Sequence, residues 1–98
     1  MDGEPVRVVA IQPVRDFDAF CAEFAKARGR HPELGVLGTS VHRSVDNPNE
    51  VMVTFEMRSR EDAMSFLTAD DRMRKWLDQA GVEVYPAVFV GRIIEGDT

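Results

Sequence analysis

Apolar and polar positions alternate along this chain in two rhythms. Residues 6–12 read Val-Arg-Val-Val-Ala-Ile-Gln, with β-branched side chains on both sides of the pleat, which predicts a first strand ended by Pro13. The rhythm then changes to Phe17, Phe20, Cys21 and Phe24, whose spacing of three and four is the buried stripe of a helix. Asp16 can accept the free amides at its start, and the helix should run to Arg28 and stop at Gly29, with Pro32 preventing resumption. Cys21, in the stripe, is expected to behave as a small buried hydrophobe and not as a nucleophile.

Residues 36–45 predict a second strand and residues 50–57 a third, joined through Asp46-Asn47-Pro48-Asn49 as an antiparallel hairpin. In the third strand Val51, Val53, Phe55 and Met57 share the core face, while Met52, Thr54 and Glu56 share the other. Ser59-Arg60-Glu61-Asp62 places a hydroxyl and a carboxylate three apart, the spacing at which each can satisfy the other's backbone amide, so a helix should begin at Arg60. Its stripe of Ala63, Phe66 and Leu67 resumes after Asp70-Asp71 as Met73, Trp76, Leu77 and Ala80 in a rotated phase. This predicts a kink or a second short helix near Asp70, closed by Gly81. A long last strand is expected over residues 82–94, with Val82, Val84, Val88 and Val90 on one face and Tyr85, Ala87, Phe89 and Ile93 on the other. Pro86 inside it cannot donate to a ladder and marks an edge, a bulge or a change of partner.

The order is that of a ferredoxin-like βαββαβ fold of the α+β class: a four-stranded antiparallel sheet with both helical stretches on one face. The chain offers no linker or repeat, so residues 1–98 form one domain. Its uncovered sheet face would exceed the ~300–600 Å² of the largest apolar patch on a typical monomer. Pairing with a second copy across a two-fold axis, through an interface of order 2,000 Å², removes it.

Composition narrows the partners. With 12 Lys and Arg against 17 Asp and Glu the net charge is −5, which argues against nucleic acid and against an anionic membrane surface. Neither a spanning segment nor a secretory leader is visible, and the chain is expected to be cytoplasmic. One cysteine and two histidines, with no His-Glu-x-x-His run and no phosphate-cradling glycine loop, give no metal site and no nucleotide cofactor.

Several stretches carry a family resemblance: Val41-His42-Arg43-Ser44 through the Asp46-Asn47-Pro48 turn, Val51-Met52-Val53-Thr54-Phe55-Glu56-Met57, Ser59-Arg60-Glu61-Asp62-Ala63 and Ala80-Gly81-Val82. Together they resemble the dimeric α/β-barrel superfamily, and within it the antibiotic-biosynthesis-monooxygenase-like proteins and the small actinobacterial cyclase-like proteins. The resemblance implies a homodimer with a ligand cavity between sheet and helices in each subunit. Some members of that superfamily oxidise polycyclic phenols without metal or flavin, some cyclise polyketides, and some bind and degrade haem. This chain departs from the family's Glu-x-Trp-x-Ser run, having Phe55 and Met57 for the Glu and Trp, and Phe66 or Leu67 stands where a helix histidine is common. A haem reading would need His42 or His31 as ligand.

His42 shares its strand face with Gly38 and Ser40, opposite Leu37, Thr39 and Val41, and so should point away from the helices. A side chain with a pKa near ~6.5 can trade a proton with a phenol or an enol, which makes His42 the acid/base candidate. Glu56 would raise its basicity, and Thr54 could join them, since cross-strand neighbours stand ~4.5–5.5 Å apart. Glu56 could equally pair with Arg43 as an ordinary ion pair. Phe66, Trp76 and Tyr85 are the residues expected to shape a pocket for a flat aromatic or polyketide-like molecule, although such side chains equally suit a plain core. His31, in the loop after the first helix, is expected to be solvated. The expected function is cofactor-independent oxygenation or cyclisation in a homodimer, with a non-catalytic binding or assembly module as the rival.

Overall fold

A computed structural model describes residues 4–68, 70–82, 86–94 and 96, and the side chains of these except at positions 30, 70, 71 and 73. The elements follow as β1 (Val6–Pro13), α1 (Phe17–Ala27), β2 (Val36–Arg43), β3 (Glu50–Met57), α2 (Arg60–Leu67), α3 (Asp70–Gln79) and β4 (Ala87–Gly91). All strand pairings are antiparallel in the order β2-β3-β1-β4, the ferredoxin-like arrangement.

Parity along β1 sets the two faces of the sheet. Val6, Val8, Ala10 and Gln12 are buried beneath the helices, while Arg7 and Ile11 between them are exposed. On β3, Val51, Val53 and Met57 are buried on that same inner side. From above, Phe20 and Phe24 of α1 close onto these strands, fully buried, with Leu77 of α3 beside them. Cys21 is half-buried against this cluster. A second cluster joins Val6, Val8, Val36 and Met57 to Ala63 of α2.

Local chemistry explains most element ends. The Asp16 carboxylate accepts from the Ala19 amide at 3.0 Å and opens α1. Ser59 Oγ accepts from the Asp62 amide at 3.1 Å and opens α2, but the reciprocal bond expected from Asp62 is not made, because its carboxylate takes the Arg58 guanidinium at 2.7 Å. That pair holds Asp62 below the ordinary carboxylate range, chiefly through the hydrogen bond from Arg58. The second helical stretch is two helices, α2 ending at Leu67 and α3 beginning at Asp70, and Gly81, at φ 81°, follows α3, in line with the rotated phase of its apolar stripe.

Three elements have boundaries other than expected, and one residue changes face. The chain does not leave helical geometry at Gly29: it continues through two 3-10 turns, Arg28–Arg30 and Pro32–Leu34, and ends at Gly35 in the left-handed region. Pro32 opens the second turn, a position that needs no amide donor, so it does not prevent resumption. Next, β2 ends at Arg43 rather than residue 45, because Ser44 Oγ accepts from the amides of Asp46 and Asn47 at 3.1 Å and starts the hairpin turn. Leu37 drops out of the face it was expected to share with Thr39 and Val41, since the register shifts between Val36 and Gly38 and leaves it exposed. Finally, β4 is short. Arg7 pairs with Gly91, so β1 has almost no backbone left for residues 92–94, and Ile93 and Ile94 stand exposed. Val82 makes only an isolated bridge to Val14, Pro86 precedes the ladder, and Val84 and Tyr85, expected in this strand, lie outside the described residues.

The outer face is mixed. Ile11, at 44% exposure, and Phe89, at 69%, are exposed large apolar groups on it, and Met52 beside Ile11 is half-buried. The Phe89 ring lies over Gly91, where a Cβ would stand 2.7 Å from it.

Gly35 carries the sharpest steric demand. Its φ is 85°, and a Cβ there would stand 2.6 Å from the Asp62 carboxylate. Gly35→Ala should therefore cost about 2 kcal/mol or more, seen as a lower urea midpoint at unchanged slope.

Candidate functional site

Between the sheet and the helices lies a cavity of about 440 Å³, within the range of small-molecule sites. The sheet contributes Val8, Ala10 and Gln12 from β1, Val53 and Phe55 from β3, and Val88 from β4. Phe20, Phe24, Phe66, Trp76 and Leu77 roof it from the helices, and His31 closes it from the turn after α1. Glu33, Asp62, Ser65 and Arg72 also line it.

Aromatic contacts make this wall continuous. Phe24 meets Phe55 at 5.9 Å between centroids, Phe55 meets Phe66 at 5.0 Å, and Trp76 stands edge-on to Phe20 at 5.7 Å. Each such pair adds roughly 0.5–1.5 kcal/mol beyond area burial. The helix stripe places these rings because α1 presents Phe20 and Phe24 one turn apart on its inner face.

His31 was expected in solvent and is instead 8% exposed. Its ring lies edge-on to Phe24 at 5.7 Å and to Phe55 at 5.9 Å. The backbone holds it there: its amide donates to Arg28, and its carbonyl accepts from Leu34 and Val36 at 3.0 Å. Burial lowers its pKa from 6.5, and the Arg28 charge lowers it further, so the imidazole is neutral at pH 7. Among the described residues no side chain hydrogen bonds to its ring.

Two more polar groups in the wall lack partners. Gln12 is 3% exposed with Oε1 unbonded, and the Trp76 indole N–H is buried and unbonded. Leaving such a group unpaired costs roughly 1–3 kcal/mol. Sequence reasoning passed over Gln12, although its parity with Val6, Val8 and Ala10 marks a polar side chain on the buried face.

The predicted site residues fall on both sides of the sheet. Phe66 and Trp76 line the cavity. His42 points to the outer face, where Ser40 Oγ meets its Nε2 at 2.8 Å and also bonds Thr54 Oγ1. Glu56 lies on that face too but does not join His42: it pairs with Arg7 of β1. Register explains this, since His42 lies opposite Met52, four residues along β3 from Glu56, while Arg7 is directly opposite Glu56. Arg43 is not its partner either, being placed over the Phe17 ring at 4.3 Å. Tyr85 lies outside the described residues. Among those described, no cluster of three or more His, Cys, Asp or Glu residues could hold a metal ion, and no helix is long and apolar enough to cross a membrane.

No family model matches the sequence, and no curated protein is similar to it by sequence. Solved structures do match. A provisionally assigned antibiotic biosynthesis monooxygenase from Bordetella bronchiseptica superposes with a TM-score of 0.77 at 18% identity, over 94% of this chain and 99% of that one. One of the same description from Caulobacter crescentus gives 0.72 at 18% identity, over 95% and 92%. SnoaB, a cofactor-independent oxygenase from Streptomyces nogalater, gives 0.67 at 14% identity, over 97% and 96%. The chain thus has the ferredoxin-like fold of the antibiotic-biosynthesis-monooxygenase-like structures over nearly its full length.

Proposed function

We propose that this protein binds a flat, largely apolar ring system in the cavity between helices and sheet, and that it works as a pair of chains joined by their outer sheet faces. The observation that carries the first part is the aromatic wall interrupted by a neutral, unbonded His31. The second rests on Ile11 and Phe89, which expose apolar surface on a face the helices leave bare. His42, Thr54 and Glu56 share that outer face, where we assign them to polar contacts at the seam between chains.

As an enzyme, the protein would act on a phenol or an enol. Neutral His31 accepts the hydroxyl proton, leaving an electron-rich anion in a largely apolar chamber. That anion can react with dioxygen or close a ring, which are the outcomes of a cofactor-independent oxygenase and a cyclase. The oxygenase description belongs to SnoaB, and the shared fold supports carrying it here as a proposal. A second reading, a carrier without chemistry, is favoured by one specific observation: Phe55 and Phe66, at positions where the resemblance leads one to expect a carboxylate and a histidine, are apolar wall.

Native mass spectrometry of the purified protein should show a dimer retaining a small molecule, and Phe89→Asp should yield single chains. Oxygen uptake with 1,8-dihydroxyanthrone should exceed the uncatalysed rate and fall about a hundredfold in His31→Gln. Binding without uptake would establish the carrier instead. The lowered pKa of His31 also has a sign in stability. Between its folded value and 6.5 the unfolded chain holds the extra proton, so stability rises with pH over that interval and is lost as pH falls below 6.5. Between pH 7 and 5 the urea midpoint should fall more steeply for the natural protein than for His31→Gln.

A further inference from the structure

Resting on the cavity reading, we infer that Gln12 and Trp76 decide which ring systems the cavity accepts, selecting those that carry a carbonyl and a hydroxyl over hydrocarbons of the same shape. Among the described residues Gln12 is the one polar side chain the sheet contributes to the cavity wall, and it sits in the central strand at a position whose parity is otherwise Val6, Val8 and Ala10. Opposite it on β3 is Val51, fully buried. An amide there has no structural partner to hold: Oε1 is buried and unbonded. The roof repeats the situation, since the Trp76 indole N–H is buried without an acceptor.

The chemistry of the two groups defines what completes them. An indole N–H only donates, so its partner is an acceptor such as a ring carbonyl. A carboxamide oxygen needs a donor, and a hydroxyl supplies one; with the amide turned the other way, the hydroxyl oxygen accepts instead. With the Gln12 amide and the indole edge turned toward the cavity, a ring bearing both groups satisfies floor and roof together, whereas a hydrocarbon leaves both unpaired. Sites built around buried polar groups discriminate in this way because the wrong ligand leaves them unmet.

The chain's single Trp gives one indole N–H resonance in a 15N–1H spectrum, which reports on the roof directly. Titrations with tetralin, 1-tetralone and 6-hydroxy-1-tetralone compare rings of one shape carrying neither group, the acceptor alone, or both. We expect 6-hydroxy-1-tetralone to bind about tenfold more tightly than tetralin, and the indole proton to move downfield with both ketones but not with tetralin. Gln12→Met keeps the chain length and removes the amide. It should erase the advantage of 6-hydroxy-1-tetralone over 1-tetralone, leave the indole shift with 1-tetralone in place, and unfold at no lower urea concentration. Equal affinity for all three probes would overturn the selection while leaving the cavity reading standing. A destabilised Gln12→Met protein would make the amide a structural group and overturn the inference, and failure of every probe to bind would remove both.

Discussion

The ring of Phe24 is the contact on which the rest of this structure depends. It is buried on the inner face of α1 and packs against Phe20, Phe55, Trp76 and His31, which come from α1 itself, β3, α3 and the turn after α1. These rings tie α1 and α3 to the sheet, while Ala63 of α2 rests on the aliphatic cluster of Val6, Val8, Val36 and Met57. The cavity lies among these rings, which line it from both layers. The same contact encloses His31, and that enclosure is the main cause of its depressed basicity.

Much of the architecture was legible in the chain because it follows from local chemistry. Period-two alternation located β1 and β3, the Phe17 to Phe24 spacing located α1, and Asp16 and Ser59 marked the helix starts where their side chains bond. What was not legible depends on contacts between distant segments. Whether His31 meets solvent is decided by Phe55, twenty-four positions later, and nothing in Arg30-His31-Pro32 announces that ring. The partner of Glu56 follows from strand order: β1 beside β3 puts Arg7 opposite it, a fact that alternation within β3 cannot supply. Gly29 looked like the stop because glycine commonly ends helices, yet it needs no special conformation, and Gly35 is the residue at φ 85°. Gln12 is the opposite case, since its parity was plain in the sequence and its polarity was simply passed over.

The sheet divides its work by face. On the central strand β1 the inner side is apolar except for Gln12, and the outer side of the sheet mixes Ile11 and Phe89 with the Arg7 to Glu56 pair and the Ser40, His42 and Thr54 hydroxyl and imidazole group. The histidine that a reading of the hairpin picks out thus lies one sheet thickness from the cavity, and the histidine in the wall is the one in the turn after α1.

Because Gln12 and Ile11 are neighbours on the central strand, one backbone segment supplies both the cavity floor and the bare outer surface. Moving β1 by a single position against β3 would carry Arg7, Val9 and Ile11 inward and Gln12 outward, exchanging the two surfaces at once. Insertions and deletions there cannot be absorbed gradually, whereas the hairpin tip at residues 45–48 is exposed and can lengthen without disturbing either face. Variation in this chain is therefore channelled: length changes belong to the hairpin tip, and change in ligand preference must come by exchanging side chains on a strand whose register stays put.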